Sequence, residues 1–193
     1  MPIQRVKPKF SDIKNVSIAA STLPAGSVIQ RVVHQEDGVT TFTASGTSEE
    51  LLIASNAADS TSHVSLSITP TSTSSKILLT ASVFYEGNQV LHSYLWAFHR
   101  DSTKLAAPAA GSRRTGISMP FAGYYANDNA STPDGVNLRY YDSPNTTSAI
   151  TYTASYNNSN SGAVIYLNQA VNTTDNSSYE RGVSFIMAEE IKV

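Results

Sequence analysis

The chain contains no cysteine, which excludes disulfides, thiolate metal sites and a cysteine nucleophile. Charge is sparse: Lys, Arg, Asp and Glu supply 15% of the residues, and the net charge is −2. A domain with that balance carries no overall electrostatic footprint for nucleic acid. Long apolar runs are missing as well, and nothing approaches the roughly 18 consecutive apolar residues of a membrane helix. Neither nucleic-acid binding nor membrane insertion is therefore expected. Residues 1–10 hold no apolar stretch long enough for a secretion signal, so the expectation is a soluble protein made in a reducing cytoplasm.

What the chain does have is Ser, Thr, Asn and Tyr in place of Lys and Glu, the reverse of a helical composition. Its 193 residues suit one domain of ordinary size, large enough to bury a core without staples. Residues 1–23 stand apart. Arg5, Lys7, Lys9 and Lys14 face a single acid, Asp12, and Pro2 and Pro8 interrupt any helix. This segment reads as an extended basic arm, and residues 24–193 read as the globular body.

The body shows strand signals at short spacing, separated by turn residues. They fall at 27–33, 50–54, 64–68, 77–85, 94–100, 115–124, 137–142, 150–156, 163–168 and 182–193. The strongest alternates Ile77, Leu79, Ala81, Val83 and Tyr85 and ends at Glu86-Gly87-Asn88. Pro120 makes its run an edge or a bulged strand. Residues 104–111 are the only segment able to turn a short helical corner. The expected fold is all-β: a single β-sandwich, of jelly-roll type, with an extended N-terminal arm. In 94–100 both faces are apolar, Tyr94, Trp96 and Phe98 on one and Leu95 and Ala97 on the other. One face then belongs to the core and the other to a subunit interface. Tyr94, Trp96 and Phe98 are taken as the interface, and a homotrimer is expected.

Catalytic chemistry finds little support. His34, His63, His92 and His99 accompany many Ser and Asp residues, but the chain has no G-x-S-x-G elbow. Histidines at strand ends and in loops explain the four more simply. Glu49-Glu50 and Glu189-Glu190 are adjacent, so on a strand each pair splits across two faces and cannot flank one bond. Asn127, Asp128, Asn129 and Asp134 crowd a loop ending at Gly135. Oxygen-rich loops can hold calcium, but the ligand pattern is incomplete, and Asn and Asp are also what tight turns use. Arg113-Arg114 reads as a solvated pair. No enzyme activity, cofactor or metal is expected.

Several aromatics are expected to be exposed. In the doublets Tyr124-Tyr125 and Tyr140-Tyr141 one ring of each must leave the core by alternation, and Tyr179 sits in a very polar loop. Tyr125, Tyr141 and Tyr179, with Asn129, suit glycan recognition, because a ring stacks on the apolar face of a sugar while amides bond its hydroxyls. The same outward tyrosines equally suit a subunit interface. Sequons at Asn15, Asn129, Asn145, Asn157, Asn172 and Asn176 follow from an Asn/Ser/Thr-rich composition.

As a set, several motifs resemble short virion structural proteins of tailed phages, many from marine and cyanobacterial viruses, of the tail-fibre-like kind. They are Pro24-Ala25-Gly26-Ser27-Val28-Ile29-Gln30, Ile68-Thr69-Pro70, Ser74-Ser75-Lys76-Ile77-Leu78, Gly111-Ser112-Arg113, Tyr141-Asp142-Ser143-Pro144, Thr151-Tyr152 and Ala188-Glu189-Glu190-Ile191. The resemblance spans the body from Pro24. It implies a sandwich or jelly-roll homotrimer in the virion, made in the host cytoplasm. The arm, through Arg5, Lys7, Lys9 and Lys14, would dock on an acidic virion surface by charge complementarity. Two roles follow from it: a tail-fibre or receptor-binding head attaching to host surface polysaccharide, or a capsid decoration (cement) protein clamping capsomers through the arm.

Overall fold

A computed structural model describes residues 19, 22–89, 94–120 and 131–193. The described chain forms two antiparallel sheets packed face to face, an all-β sandwich with no α-helix among the described residues. Its strands are β1 (Val28–Glu36), β2 (Thr40–Thr43), β3 (Glu50–Leu51), β4 (Ser65–Ile68), β5 (Lys76–Gly87), β6 (Leu95–Arg100), β7 (Thr103–Leu105), β8 (Asp134–Asp142), β9 (Ile150–Asn157), β10 (Val164–Leu167) and β11 (Ser184–Ile191).

Each sheet is built around one long strand. β5 pairs with β8 along one edge and, along the other, first with β11 and then with β10; β1 and β2 close the outside. β9 pairs with β6 along one edge and with β4 and β3 along the other, and β7 lies beyond β6. The clean alternation of β5 explains its central place, because Ile77, Leu79, Ala81, Val83 and Tyr85 all point into the core. On β8 the same alternation turns Val136 and Leu138 inward and leaves Tyr141 outward, 55% exposed.

The core centres on four rings. Tyr85 and Trp96 lie 4.8 Å apart, Trp96 and Tyr156 5.5 Å, Tyr156 and Tyr94 5.7 Å, and Tyr94 and Tyr85 5.7 Å. Their polar tips are satisfied, as buried tyrosines and tryptophan require. Tyr156 OH donates to Phe42 O at 2.8 Å and Ala163 O at 3.0 Å, binding sheet to sheet. Trp96 Nε1 donates to Tyr85 OH at 3.4 Å, and Tyr94 OH donates to Val164 O at 3.2 Å. Burial pushes the Tyr94 hydroxyl up to about 12.

Tyr94, Trp96 and Phe98 are therefore core residues of their own chain, and their assignment to an oligomer interface is corrected. The opposite face of β6 is also covered from within. Ala97 is 0% and His99 7% exposed there, while residues 115–118 run alongside the edge of the strand, with Ile117 N donating to Trp96 O at 2.7 Å and Trp96 pairing with Ser118. Gly116 is needed there: a Cβ would meet the Leu95 side chain at 2.5 Å. The expected strand over 115–124 is reduced to that single bridge among its described residues. Residues 103–105 form β7 rather than the start of a helical corner.

Candidate functional site

Buried carboxylates at strand ends fasten the loops of this fold. Glu36, Glu86, Glu190 and Asp142 are all buried and all bonded. Glu190 accepts from Thr71 N and Thr71 Oγ1 at 2.7 and 2.8 Å, while its neighbour Glu189, on the other face, pairs with Arg31 at 2.5 Å. Asp142 takes both oxygens to Arg100 Nη1 at 3.0 Å and accepts from Tyr152 OH at 2.7 Å. Burial is what makes each of these bonds matter, because a buried donor or acceptor left unmade costs more than a made one gains.

Glu86 joins two loops at one end of the β5-centred sheet. Its carboxylate accepts from Thr132 N and Thr132 Oγ1 at 2.8 Å each, and from Val171 N at 2.5 Å. It thus joins the approach to β8 to the loop after β10. That loop, residues 169–181, is closed at its base by pairing of Gln169 with Arg181 and by Ala170 N donating to Glu180 O at 3.2 Å. Asn168, at φ 59°, makes the turn into it. Its Nδ2 donates to Glu36 O and Gly38 O at 2.9 and 2.8 Å, and its Oδ1 accepts from Ser184 Oγ at 2.7 Å. Within the loop, Asn172 and Asn176 act as turn formers: Thr174 N donates to Asn172 Oδ1 at 3.0 Å and Ser178 N to Asn176 Oδ1 at 2.9 Å. Ser131 Oγ, from the approach to β8, reaches Ser178 O at 2.8 Å and Glu180 Oε2 at 3.0 Å.

The result is a cavity of about 300 Å³ lined by Asn172, Asp175, Asn176, Tyr179, Glu180 and Arg181, among others. It offers one aromatic ring, two carboxylates, amides, hydroxyls and a guanidinium. Desolvation, followed by the nearby Glu86 charge, raises the Asp134 carboxyl above its ordinary value at the root of the same cluster.

Tyr179 falls at this cavity, half-buried. Tyr141 does not. It faces Leu78 on the outer surface, whereas Ser131 and Thr132, which meet the loop, precede the other end of β8. Seven residues of strand separate Asp134 from Tyr141, about 23 Å at roughly 3.3 Å per residue. Tyr125, Asn129, Arg5, Lys7, Lys9 and Lys14 lie outside the described residues. Of the proposed oxygen-rich loop residues 131–135 are described, with Asp134 and Gly135 opening β8, and Asn127, Asp128 and Asn129 lie outside the described residues. Arg114 is no member of a solvated pair, since its Nη1 donates to Asn157 Oδ1 at 2.9 Å, while Arg113 is exposed.

Sequence reasoning passed over Glu86 and Arg181. Glu86 ends an alternating run and reads as a terminator; its buried role depends on two loops that reach it from distant parts of the chain. The chain matches no known protein-family profile and no curated protein.

Proposed function

We propose that this chain is a non-enzymatic structural protein of a tailed-phage virion, an attachment head whose Tyr179 cavity binds host-surface glycan. The observation that carries the reading is the cavity itself: an aromatic ring set among carboxylates, amides and a guanidinium, on a loop anchored at Val171 by a buried carboxylate. The Tyr179 ring would stack on a sugar face, Asp175 and Glu180 would accept from hydroxyls, and Arg181 would donate. Anchoring of this kind lowers the ordering cost of binding.

The layout of sheet A, the β5-centred sheet, supports the same reading. The body begins where it ends: Gly26 N donates to Lys192 O at 2.8 Å and Lys192 N to Ser27 O at 2.9 Å. The 169–181 loop enters β11 at Ser184, whereas Lys192 follows its other end. A basic arm leading into Leu23 would hold one end of the body on the virion while the cavity faces outward from the other. Glycan-array and host-cell binding of the full chain test this. Loss of binding in Tyr179→Ala, with Tyr141→Ala unaffected, is expected, and unchanged binding in Tyr179→Ala removes the site.

One observation favours the second reading, a capsid decoration protein. The outer face of sheet A carries Val33, Phe185, Met187, Leu78 and Tyr141, with Val33 and Tyr141 each 55% exposed. Neighbouring capsid proteins, or the other copies of a homotrimer, would cover such a face. Electron microscopy of the intact particle separates the two readings by placing the chain on tail or capsid.

A further inference from the structure

We infer that His34, Glu36 and His63 form a binding site for one divalent first-row transition ion, zinc being the simplest probe. His34 and Glu36 stand two residues apart on β1, so both side chains leave the strand on the same face. His63 comes from the turn before β4, in the opposite sheet. Glu36 Oε2 lies 3.7 Å from His34 Nε2 and 4.0 Å from His63 Nδ1, and one ligand atom from each of the three residues lies within 4.8 Å of the others. Two imidazoles and a carboxylate are the donor set that zinc, nickel and copper favour.

The carboxylate is already oriented. Glu36 Oε1 accepts from Gly38 N at 2.7 Å, and Oε2 accepts from His63 N at 2.8 Å. Gly38 is required for that approach, since a Cβ would come within 2.8 Å of Oε1 and 2.5 Å of Ser62 Oγ. The His63 turn is fastened separately: the Asp59 carboxylate accepts from Thr61 N at 3.1 Å, Ser62 N at 3.0 Å and Ser62 Oγ at 2.5 Å. Among the described residues Glu36 has no lysine or arginine partner, and the basic side chains beside it are the two histidines. Asp37 and Asp59 add negative charge nearby.

The rings are stacked, 4.2 Å between centroids and 11° between planes. His34 Nε2–H donates to His63 O at 3.1 Å and His63 Nδ1–H to Thr61 O at 3.0 Å. Metal binding therefore shifts each proton to the other nitrogen of its ring and tilts the rings until their lone pairs converge. Ligand atoms in a tetrahedral zinc site stand about 3.4 Å apart, so the present separations close by a few tenths of an ångström or more. Side chains that are 28% and 34% exposed have room for that motion. The bound ion would tie β1 to the turn before β4, a cross-sheet link of the sort that a cysteine-free chain cannot make with sulfur.

Calorimetric titration of the full chain with zinc chloride, and thermal melting with and without EDTA, test the site. One equivalent bound at micromolar concentration is expected, with a melting temperature that rises and returns on chelation. His34→Gln and His63→Gln should each weaken binding at least about tenfold. Substituted cobalt should show the intense visible bands of a four-coordinate site in the unmodified chain, which requires no variant to fold. Absent binding, an octahedral cobalt spectrum, or zinc affinity unchanged in both histidine variants would overturn the assignment.

Discussion

Replacing Glu86 by glutamine tests the claim that a buried carboxylate holds the candidate cavity in place. Glu86 is 1% exposed and receives three donors, two from Thr132 and one from Val171. Glutamine has nearly the same shape but turns one acceptor oxygen into a donor. It then faces either Val171 N–H or the Thr132 pair with an NH₂ group. A hydrogen bond to a charged group contributes about 1.5–3 kcal/mol, and an N–H left facing a donor costs about 1–3 kcal/mol. The two overlap, because part of the second is the loss of the first, so a destabilisation of about 2–4 kcal/mol is expected. In a domain of this size each kcal/mol lowers Tm by about 2–4 °C, giving a fall of roughly 5–15 °C. Urea unfolding followed by circular dichroism measures the global term, and hydrogen exchange at the Val171 amide measures the local one. Glu180→Gln, an exposed carboxylate of the same loop, serves as the control and should stay within about 0.5 kcal/mol of the parent. Unaltered stability together with unaltered exchange at Val171 would refute the anchoring role. Faster exchange at Val171 with an unchanged Tm would refute the coupling of the loop to the whole fold.

Gly87→Ala places a Cβ 2.4 Å from the ring of Tyr94, which the aromatic cluster and its hydroxyl bonds hold still. A loss of about 1–3 kcal/mol by urea unfolding is expected, against no measurable change for Gly135→Ala, where the same atom meets nothing. His99 is buried with neither ring nitrogen bonded among the described residues, and burial lowers its pKa despite the Glu49 carboxylate. Its folded form takes up a proton at lower pH than its unfolded form, so stability holds above about 6.5 and declines as pH falls below it. His99→Leu should flatten that decline in melting experiments, and an unchanged slope would show that other groups cause it. Asp134→Asn should stabilise at neutral pH, where the burial of a charged carboxylate next to Glu86 is unfavourable, and the gain should shrink as pH approaches the ordinary carboxylate value of 3.8. A gain that persists at that pH would argue for a packing effect.

Alternation was the most legible signal, because it reflects a local and strictly periodic geometry. β5, β8 and β9 follow from it directly. β2 escaped, since Thr40-Thr41-Phe42-Thr43 has one apolar residue and owes its place to pairing with β10. β7 escaped because three residues beside an Ala/Pro-rich stretch carry no period at all. The apolar character of both faces of β6 was legible, but the identity of the cover was not. A second face buried within the same chain leaves the same trace in sequence as one buried by a partner. The candidate cavity divides likewise. Tyr179 was legible as an aromatic ring in a polar loop, whereas Glu86, Arg181 and the meeting of His34 with His63 depend on tertiary contacts that no local window contains.

The pairing of β1 with β11 has a consequence for synthesis. The first strand of the body to leave the ribosome finds its only partner strand among those described in the last one made. At about 5–20 residues per second, translation leaves β1 unpaired for roughly ten seconds or more, its backbone donors and acceptors open to neighbouring chains. Sheet A closes only when β11 arrives. A nascent chain stopped before Ser184 is therefore not a smaller sandwich with one strand missing. It lacks the middle strand between β1 and β5, so β1 has no described strand to join it to the sheet.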